Sequence, residues 1–599
     1  AHVDHAQRSL TYSDFVHKEL VQFAKYDVMR SIPCMVDGFK PSQRKVIFCA
    51  FKKHLKSDIK VAQFVGYISE QSAYHHGEMS LENTIVNLAQ TFVGSNNLNL
   101  LVPSGQFGTR LQGGKDHAAA RYIYTRLAHA TRFVFHPDDD HILDYLDEEG
   151  QRIEPKWYCP VIPTVLVNGA EGIGVGWSTS VPNYNPRDVI RNIRRLLRGL
   201  PMEDMLPWYR GFRGAIGPSE QDPSRLEVTG LAEKASDTLL EITELPVKVW
   251  TLNYKEFLEE LMPQDKRKSD DDSHHTIEEF REYHTEGSVH FQLKLSKDKM
   301  SKVERQGLEK VFKLRTSIST TNMMLFDHEG KITRYNSALE ILTDFCVLRR
   351  AMYVKRKAYL VGKLTREKEI LSNKARFILM VVQGELELRK RKKAELLQEL
   401  RRLGFKPMSQ LNAIMQSSLA EGQAAQPDAS ERGSDEGEKS DYGYLLGMAL
   451  WSLTFEKVEE IRKLLEEKAV ELQTLIATSV EQMWDRDLLA LSAALDQLDA
   501  EDAADASAAS SGSAGKGRRK RPATPPAASS EPARPKSRED AALDGMPVRD
   551  CEAAVRELAA SLQRERSDGS RQAAAAAAPA RLAPAAGAGG GGGGGGRGG

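Results

Sequence analysis

The chain has 599 residues, enough for several hydrophobic cores, and its 83 Lys and Arg balance 83 Asp and Glu, so any anion-binding surface has to be local. Five scattered cysteines (Cys34, Cys49, Cys159, Cys346, Cys551) without CxxC or His-paired spacing argue against a disulfide framework or a structural zinc site, and fit a reducing compartment. No apolar run approaches the ~20 residues of a membrane span and no secretory signal opens the chain, which begins with Ala and is expected to be a fragment.

Residues 9–60 predict a first helix capped by Ser13 or Asp14, a turn at Asp37-Gly38, and a second helix opened by Pro41. Lys40, Arg44 and Lys45 gather where that helix starts and its free N–H groups favour anions, although a solvated cationic face is the plain alternative. Residues 61–95 predict two more helices flanking His75 and His76. Adjacent histidines suggest a metal, but no third ligand stands at a suitable spacing and the HExxH pattern is missing, so a structural pair is the default.

The stretch Gln106–Thr125, QFGTRLQGGKDHAAARYIYT, has the most pointed chemistry. Gly105, Gly108, Gly113 and Gly114 let backbone come close to a ligand, and Arg110, Lys115 and Arg121 supply cations. Alternation over Arg121–Thr125 predicts a short strand, in which a half-buried tyrosine is the ordinary reading of Tyr122. The other reading is a nucleophile. A phenol ionises near pH ~10 and needs cationic help at neutral pH, which a guanidinium shaped for phosphate supplies.

Residues 136–158 read as an acidic loop, and Val161–Val167 as apolar. Ala170–Thr179, AEGIGVGWST, places Gly172, Gly174 and Gly176 at alternate positions, without a P-loop Lys-Ser/Thr or the G-x-G-x-x-G spacing, so a tight turn is expected. Strand-like alternation at Leu239–Leu245 and His290–Leu295 surrounds a polar loop at Pro263–His275. A proline-free run from Tyr335 to about Gln383 carries apolar residues at spacings of three, four and seven, which predicts a helix of roughly 70 Å with a packing seam. A second seam from Val458 to Ile476 follows Trp451 and would run back antiparallel. Between them lie short apolar elements at Leu397–Leu403 and Tyr444–Leu453 and an acidic, Ser/Gly-rich segment at 416–440 that reads as disordered. After about Asp499 the composition collapses into Ala, Gly, Pro, Ser and Arg, predicting a disordered tail with a basic Gly517–Pro522 cluster.

Three of these stretches, Tyr74–Leu101, Gly114–Thr125 and Pro160–Thr179, closely resemble the breakage-reunion region of eukaryotic type IIA DNA topoisomerases, and the likeness runs from about Leu10 to Leu498. The resemblance implies an α+β multidomain chain. It comprises a winged-helix domain (9–185), an α/β tower (186–335), a long antiparallel coiled coil ending in a dimerising C-gate (336–498) and the tail (499–599). It implies that Tyr122 attacks a DNA phosphate with Arg121 stabilising the charge, and that Lys40, Arg44, Lys45, His75, His76, Arg110 and Lys115 contact DNA. Ile173 would then be wedged between base pairs, as an apolar side chain between glycines suits. The implied partners are double-stranded DNA and a second copy, in the nucleus, with no membrane. Mg²⁺ and ATP are the implied cofactors, with their sites in TOPRIM and ATPase domains expected before Ala1, so no metal ligand is assigned here. A non-catalytic DNA-binding derivative and a subunit needing TOPRIM in trans stay open. A coiled-coil scaffold would account for only the last third of the folded chain.

Overall fold

The computed structural model describes residues 9–219, 222, 225–262, 276–387, 392–420, 441–449, 454–511, 538–558, 560, 561 and 564. The polar loop at Pro263–His275, Trp451, the basic cluster Gly517–Pro522 and most of the acidic segment at 416–440 lie outside the described residues.

The chain opens with α1 (Tyr12–Asp14), a π-helical stretch (Phe15–Leu20) and α2 (Val21–Ser31). Its cap is Thr11, whose Oγ1 accepts from Asp14 N–H at 3.1 Å, rather than Ser13 or Asp14. Helix α3 (Pro41–Lys52) starts as expected, with Pro41 in the first turn and Lys40 N–H donating to Gln43 Oε1 at 2.9 Å. Strand β1 (Ile59–Lys60), α4 (Val61–Gln71) and α5 (Glu78–Ala89) follow. Strand β2 (Tyr124–Thr125) pairs antiparallel with β1, and bridges at Ser104↔Tyr124 and Leu101↔Leu127 add a third line of chain. The loop 105–123 is therefore a wing between two antiparallel segments. Only Tyr124 and Thr125 are strand; Arg121 and Tyr122 sit in a turn, which corrects the strand expected there.

The supposed acidic loop at 136–158 is ordered. It holds a 3₁₀ turn (Pro137–His141) after α6 (Thr131–Val134), and the hairpin β3 (Tyr145–Glu148) and β4 (Gln151–Pro155). Helix α7 (Thr164–Val167) is wholly buried, and the glycine-rich stretch is a hairpin of β5 (Ala170–Gly174) and β6 (Trp177–Val181). Helix α8 (Pro186–Leu196) is capped by Asn185, whose Oδ1 accepts from Arg187 N–H at 2.9 Å.

The next stretch carries β7 (Ala215–Pro218), β8 (Arg225–Thr229), β9 (Leu231–Ser236), β10 (Leu239–Glu244), α9 (Thr251–Glu260), β11 (Glu279–Glu282) and β12 (Phe291–Lys294). Then come α10 (Lys297–Gln306), α11 (Leu308–Val311), β13 (Arg315–Ser319), β14 (Met323–Phe326) and β15 (Ile332–Tyr335). One antiparallel sheet has the order β11-β12-β10-β9 and a second β13-β8-β7. The alternation seen in sequence is the pairing of β10 with β12, with Leu240 opposite Leu293 on the buried face.

Helix α12 (Ala338–Val382) has 45 residues, about 67 Å at ~1.5 Å rise. Ser337 Oγ caps it from Glu340 N–H at 3.1 Å, and Glu340 reaches back to Asn336 N–H at 2.7 Å. Short helices α13 (Lys393–Arg402), α14 (Met408–Ala420) and α15 (Gly443–Leu446) gather at its far end around Phe377, Phe405 and Tyr442. Residues 416–420 are thus helical rather than disordered. Helix α16 (Phe455–Ala477) returns antiparallel: Lys468 pairs with Glu367 at 3.2 Å, and Lys357 Nζ donates to Ile476 O at 3.0 Å. Helix α17 (Val480–Ser511) then packs on α6, α8 and α12.

At the base of α12, Asp139 lies between Arg349 Nη2 (2.8 Å) and Arg356 Nε (2.9 Å), and Asp487 of α17 takes Arg356 at 2.8 Å and the Tyr353 hydroxyl at 2.7 Å. Tyr353 stacks on Trp484, so the start of the long helix is fixed by buried charge and aromatic packing together.

The tail differs most from expectation. Helix α17 runs on to Ser511, and α18 (Arg538–Asp544) with the chain up to 558 folds back onto the same core. Leu543, Cys551 and Val555 are buried there, and Arg549 N–H donates to Leu197 O at 2.9 Å. Arg194 pairs with Asp544 at 2.7 Å, and Arg350 with Glu552 at 3.0 Å. Composition alone undervalued a few apolar residues matched to an arginine-lined slot.

Candidate nucleic-acid interface

The wing is rigid because it is bonded to itself. Thr109 N–H and Oγ1 both donate to Asp116, at 2.9 and 2.5 Å, and Ala118 N–H donates to Gln106 O at 2.9 Å. From α5, Gln90 Nε2 donates to Phe107 O at 2.9 Å. The glycines serve this packing rather than a ligand: a Cβ on Gly108 would lie 2.4 Å from Gly114 O, and one on Gly113 2.4 Å from the Trp250 ring. On this frame Ile123 is buried while Tyr122 beside it is 69% exposed, its N–H held by Ala119 O at 2.9 Å. The Arg121 guanidinium stands 5.7 Å from the Tyr122 ring centre, and Arg121 and Lys115 are exposed. Tyr124, two residues on, is less exposed and lies under Lys60 Nζ at 6.0 Å.

Of the other cations, two are buried in ion pairs. Arg44 is buried against Asp37 (2.8 Å), whose carboxylate also accepts from Phe39 and Tyr158 N–H; it joins α3 to the chain at 158 and is not open to a phosphate. Arg110 is also buried, paired with Glu244 at 2.5 Å and donating to Leu245 O at 2.9 Å, so it pins the wing to β10. Lys45 is largely committed as well, to Glu154 at 2.9 Å and Ser72 O at 2.5 Å. Burial pushes the Glu154 carboxyl up, against the pull of Lys45. Lys40 keeps a half-buried amine whose burial lowers its pKa.

His75 and His76 are exposed just ahead of α5. His75 Nε2 stands 3.3 Å from Glu148, and His76 Nε2 2.9 Å from the Tyr26 hydroxyl with its ring edge-on to Tyr74. Met79 in the first turn of α5 is exposed too. Ile173 is 85% exposed near the tip of the β5–β6 hairpin, opposite Ser178. A hydrophobe that open is held by its hairpin, not by packing of its own side chain. Asp37, Gln90 and Glu244 escaped the sequence reading, since nothing in local spacing marks a carboxylate or amide whose partners are up to 134 residues away. Among the described residues no three His, Cys, Asp or Glu converge to hold a metal, and no helix is long and apolar enough to cross a membrane.

The family model for the A-type subunit of DNA gyrase/topoisomerase IV matches residues 30–489, which span the wing, the hairpin and the long helices. The chain belongs to that family. Among its relatives, DNA topoisomerase 2 of Plasmodium falciparum is 48% identical over 503 residues, covering 83% of this chain and 35% of that protein. DNA topoisomerase 2-beta of Mus musculus is 45% identical over 497 residues, covering 82% and 30%. The chain therefore spans about a third of the length of these relatives. Its fold, mixed helix and sheet, matches a solved Plasmodium falciparum topoisomerase II DNA-binding, cleavage and re-ligation domain with a TM-score of 0.75 and 46% identity, over 84% of this chain and 67% of that one.

Proposed function

We propose that this chain is the breakage-reunion region of a type II DNA topoisomerase, cutting both strands of a duplex through 5′-phosphotyrosyl links and resealing them. The observation that carries the reading is Tyr122: a phenol held out in solvent on a clamped main chain, with a guanidinium beside it. Tyr122 Oη gives up its proton and bonds to a backbone phosphorus; the P–O3′ bond breaks and the 3′ oxygen takes up a proton. The phosphotyrosyl ester keeps the bond energy, so resealing is the reverse step and needs no ATP. Arg121 stabilises the charge that builds on the phosphoryl oxygens, and Lys115, exposed in the same wing, contacts the DNA.

Helices α3, α4 and α5, strands β1 and β2 and the wing are assigned as a winged helix, with α5 lying in the major groove and His75, His76 and Lys40 at its margins. Ile173 is assigned as the wedge that opens a base step and bends the duplex. The two sheets of 215–319 form the tower beneath the DNA arms, and α12 with α16 forms the coiled coil whose far end meets a second copy, the C-gate. Two copies then cut opposite strands, in the nucleus, to let a second duplex pass.

Type II topoisomerases use Mg²⁺ and ATP. The wing side chains beside Tyr122 are cationic, and Asp116 is taken by Thr109, so the residues here do not fit a metal; both sites are assigned to the remaining length of the protein. In the full-length protein, Tyr122→Phe is expected to abolish the SDS-trapped protein–DNA adduct while duplex binding persists. An adduct surviving in Tyr122→Phe would move the nucleophile, to Tyr124 first. Failure of the unsubstituted protein to form any adduct with Mg²⁺ present would favour a DNA-binding derivative that cuts nothing.

A further inference from the structure

The hairpin that carries Ile173 turns in two residues, Val175 and Gly176, between the paired Gly174 and Trp177. Positive φ falls on Gly176 alone (+78°), so this is neither of the primed turns whose twist matches the flanking strands. Such a hairpin needs support from outside, and the N–H of its first turn residue has no acceptor within the turn.

The support comes from α2. Asp27 Oδ2 accepts from Val175 N–H at 3.0 Å, while Asp27 Oδ1 takes Arg30 Nε at 3.0 Å and Nη2 at 2.5 Å. Asp27 is buried, while the Arg30 and Val175 side chains stay exposed. The hairpin lies close along α2: a Cβ on Gly172 would stand 2.3 Å from Ser31 O, and one on Gly174 3.3 Å from Val28 Cα. Its base is tied elsewhere, by Lys248 to Glu171, and Ser178, the partner opposite Ile173, accepts from Asn322 Nδ2 at 2.9 Å. In the two-residue turn itself, the side-chain hydrogen bond from another element among the described residues is that of the Asp27 carboxylate.

We infer that Asp27 is the positioning residue of the DNA-bending wedge: its carboxylate fixes the turn at Val175 and so sets the height at which Ile173 enters a base step. The inference rests on the reading of Ile173 as a wedge. Arg30 orients the carboxylate, leaving one oxygen directed at the turn.

The test uses the whole chain and a duplex with 2-aminopurine at the wedged step, whose fluorescence rises on unstacking, followed together with end-to-end energy transfer for the bend. Ile173→Ala tests the underlying reading and should remove the unstacking signal. Asp27→Ala should lower the wedged-to-unwedged ratio about fivefold, the fold-change that one lost hydrogen bond carries. Asp27→Asn, which keeps an acceptor for Val175 N–H, should restore most of it. Val175→Pro approaches from the donor side: proline suits the first position of such a turn but has no N–H, and it should match Asp27→Ala even where that variant folds poorly. Full unstacking in both Asp27→Ala and Val175→Pro, with the signal lost in Ile173→Ala, overturns the role of Asp27. An unchanged signal in Ile173→Ala overturns the wedge reading itself.

Discussion

Arg110→Ala separates two roles that look alike in sequence, a cation for DNA phosphate and a buried brace. In the structure its guanidinium meets Glu244 at 2.5 Å and Leu245 O at 2.9 Å, and both charged side chains are almost wholly buried. Truncation leaves Glu244 buried without its main counter-charge. Glu244 keeps hydrogen bonds from Leu245 N–H at 3.0 Å and Arg213 N–H at 3.2 Å, so the loss belongs at the lower end of a broken buried pair, about 3 kcal/mol. That is about a hundredfold in a local opening equilibrium. Amide hydrogen exchange reads it directly: protection should fall by that factor along β10 and across 109–116 of the wing, which share the brace. Duplex affinity measured against salt gives the second arm. A residue that holds no phosphate leaves the slope of log K against log salt unchanged, whereas each lost phosphate contact lowers it by about 0.9. Unchanged protection together with a shallower slope would refute the buried-brace argument and return Arg110 to the DNA surface.

Three further outcomes follow from the packing. Gly113→Ala puts a Cβ 2.4 Å from the Trp250 ring at φ +63°, and should lower stability by about 3 kcal/mol in thermal unfolding, against about 1 kcal/mol for Gly150→Ala, where φ is +80° but the space is open. Burial alone would raise the Asp485 carboxyl, but hydrogen bonds from Arg198 and Arg194 outweigh it and hold the carboxyl below the usual range. Its stabilisation is therefore present above the unfolded value near ~3.9 and lost as pH falls from there through the folded value, so exchange protection at the α8–α17 contact should drop in acid, and Asp485→Asn should remove that dependence. Burial also pushes the Cys551 thiol up to about 11, and thiol labelling should be slow at low salt. Raising salt from 0.1 to 1 M shortens the screening length from about 10 to about 3 Å and should speed labelling of Cys551, whose neighbours Arg350 and Glu552 are ion-paired, but not of Cys159, equally buried.

What the sequence told correctly was what local periodicity and punctuation encode. Pro41 opened α3, the three-and-four spacing gave the long helix, and the β10–β12 alternation gave a sheet. What it hid was the partner of each charge. Arg44 and Lys115 are equally basic on paper, yet one is locked on Asp37 and the other faces solvent, because Asp37 sits on a turn folded under α3. The wing glycines read as room for a ligand, and only the packing of Gln90 and Trp250 revealed whose room it was. The 538–558 segment failed for a related reason: low average hydropathy says little when Cys551 and Val555 fall on a core made elsewhere in the chain.

Helix α12 is continuous for 45 residues from a base clamped by Asp139, Arg349 and Arg356. Beyond Arg356 it runs on for about 40 Å to Val382 and acts as a lever: tilting the base by about 5° carries the far end through about 3–4 Å, the width of a side chain. Displacement of the tip, around Tyr442 and Phe405, is thus governed by angular play at the root, where each degree is costly because it moves buried charge. Stiffness in the shaft and leverage at the pivot make the ion cluster, remote from the tip, the place where its travel is metered.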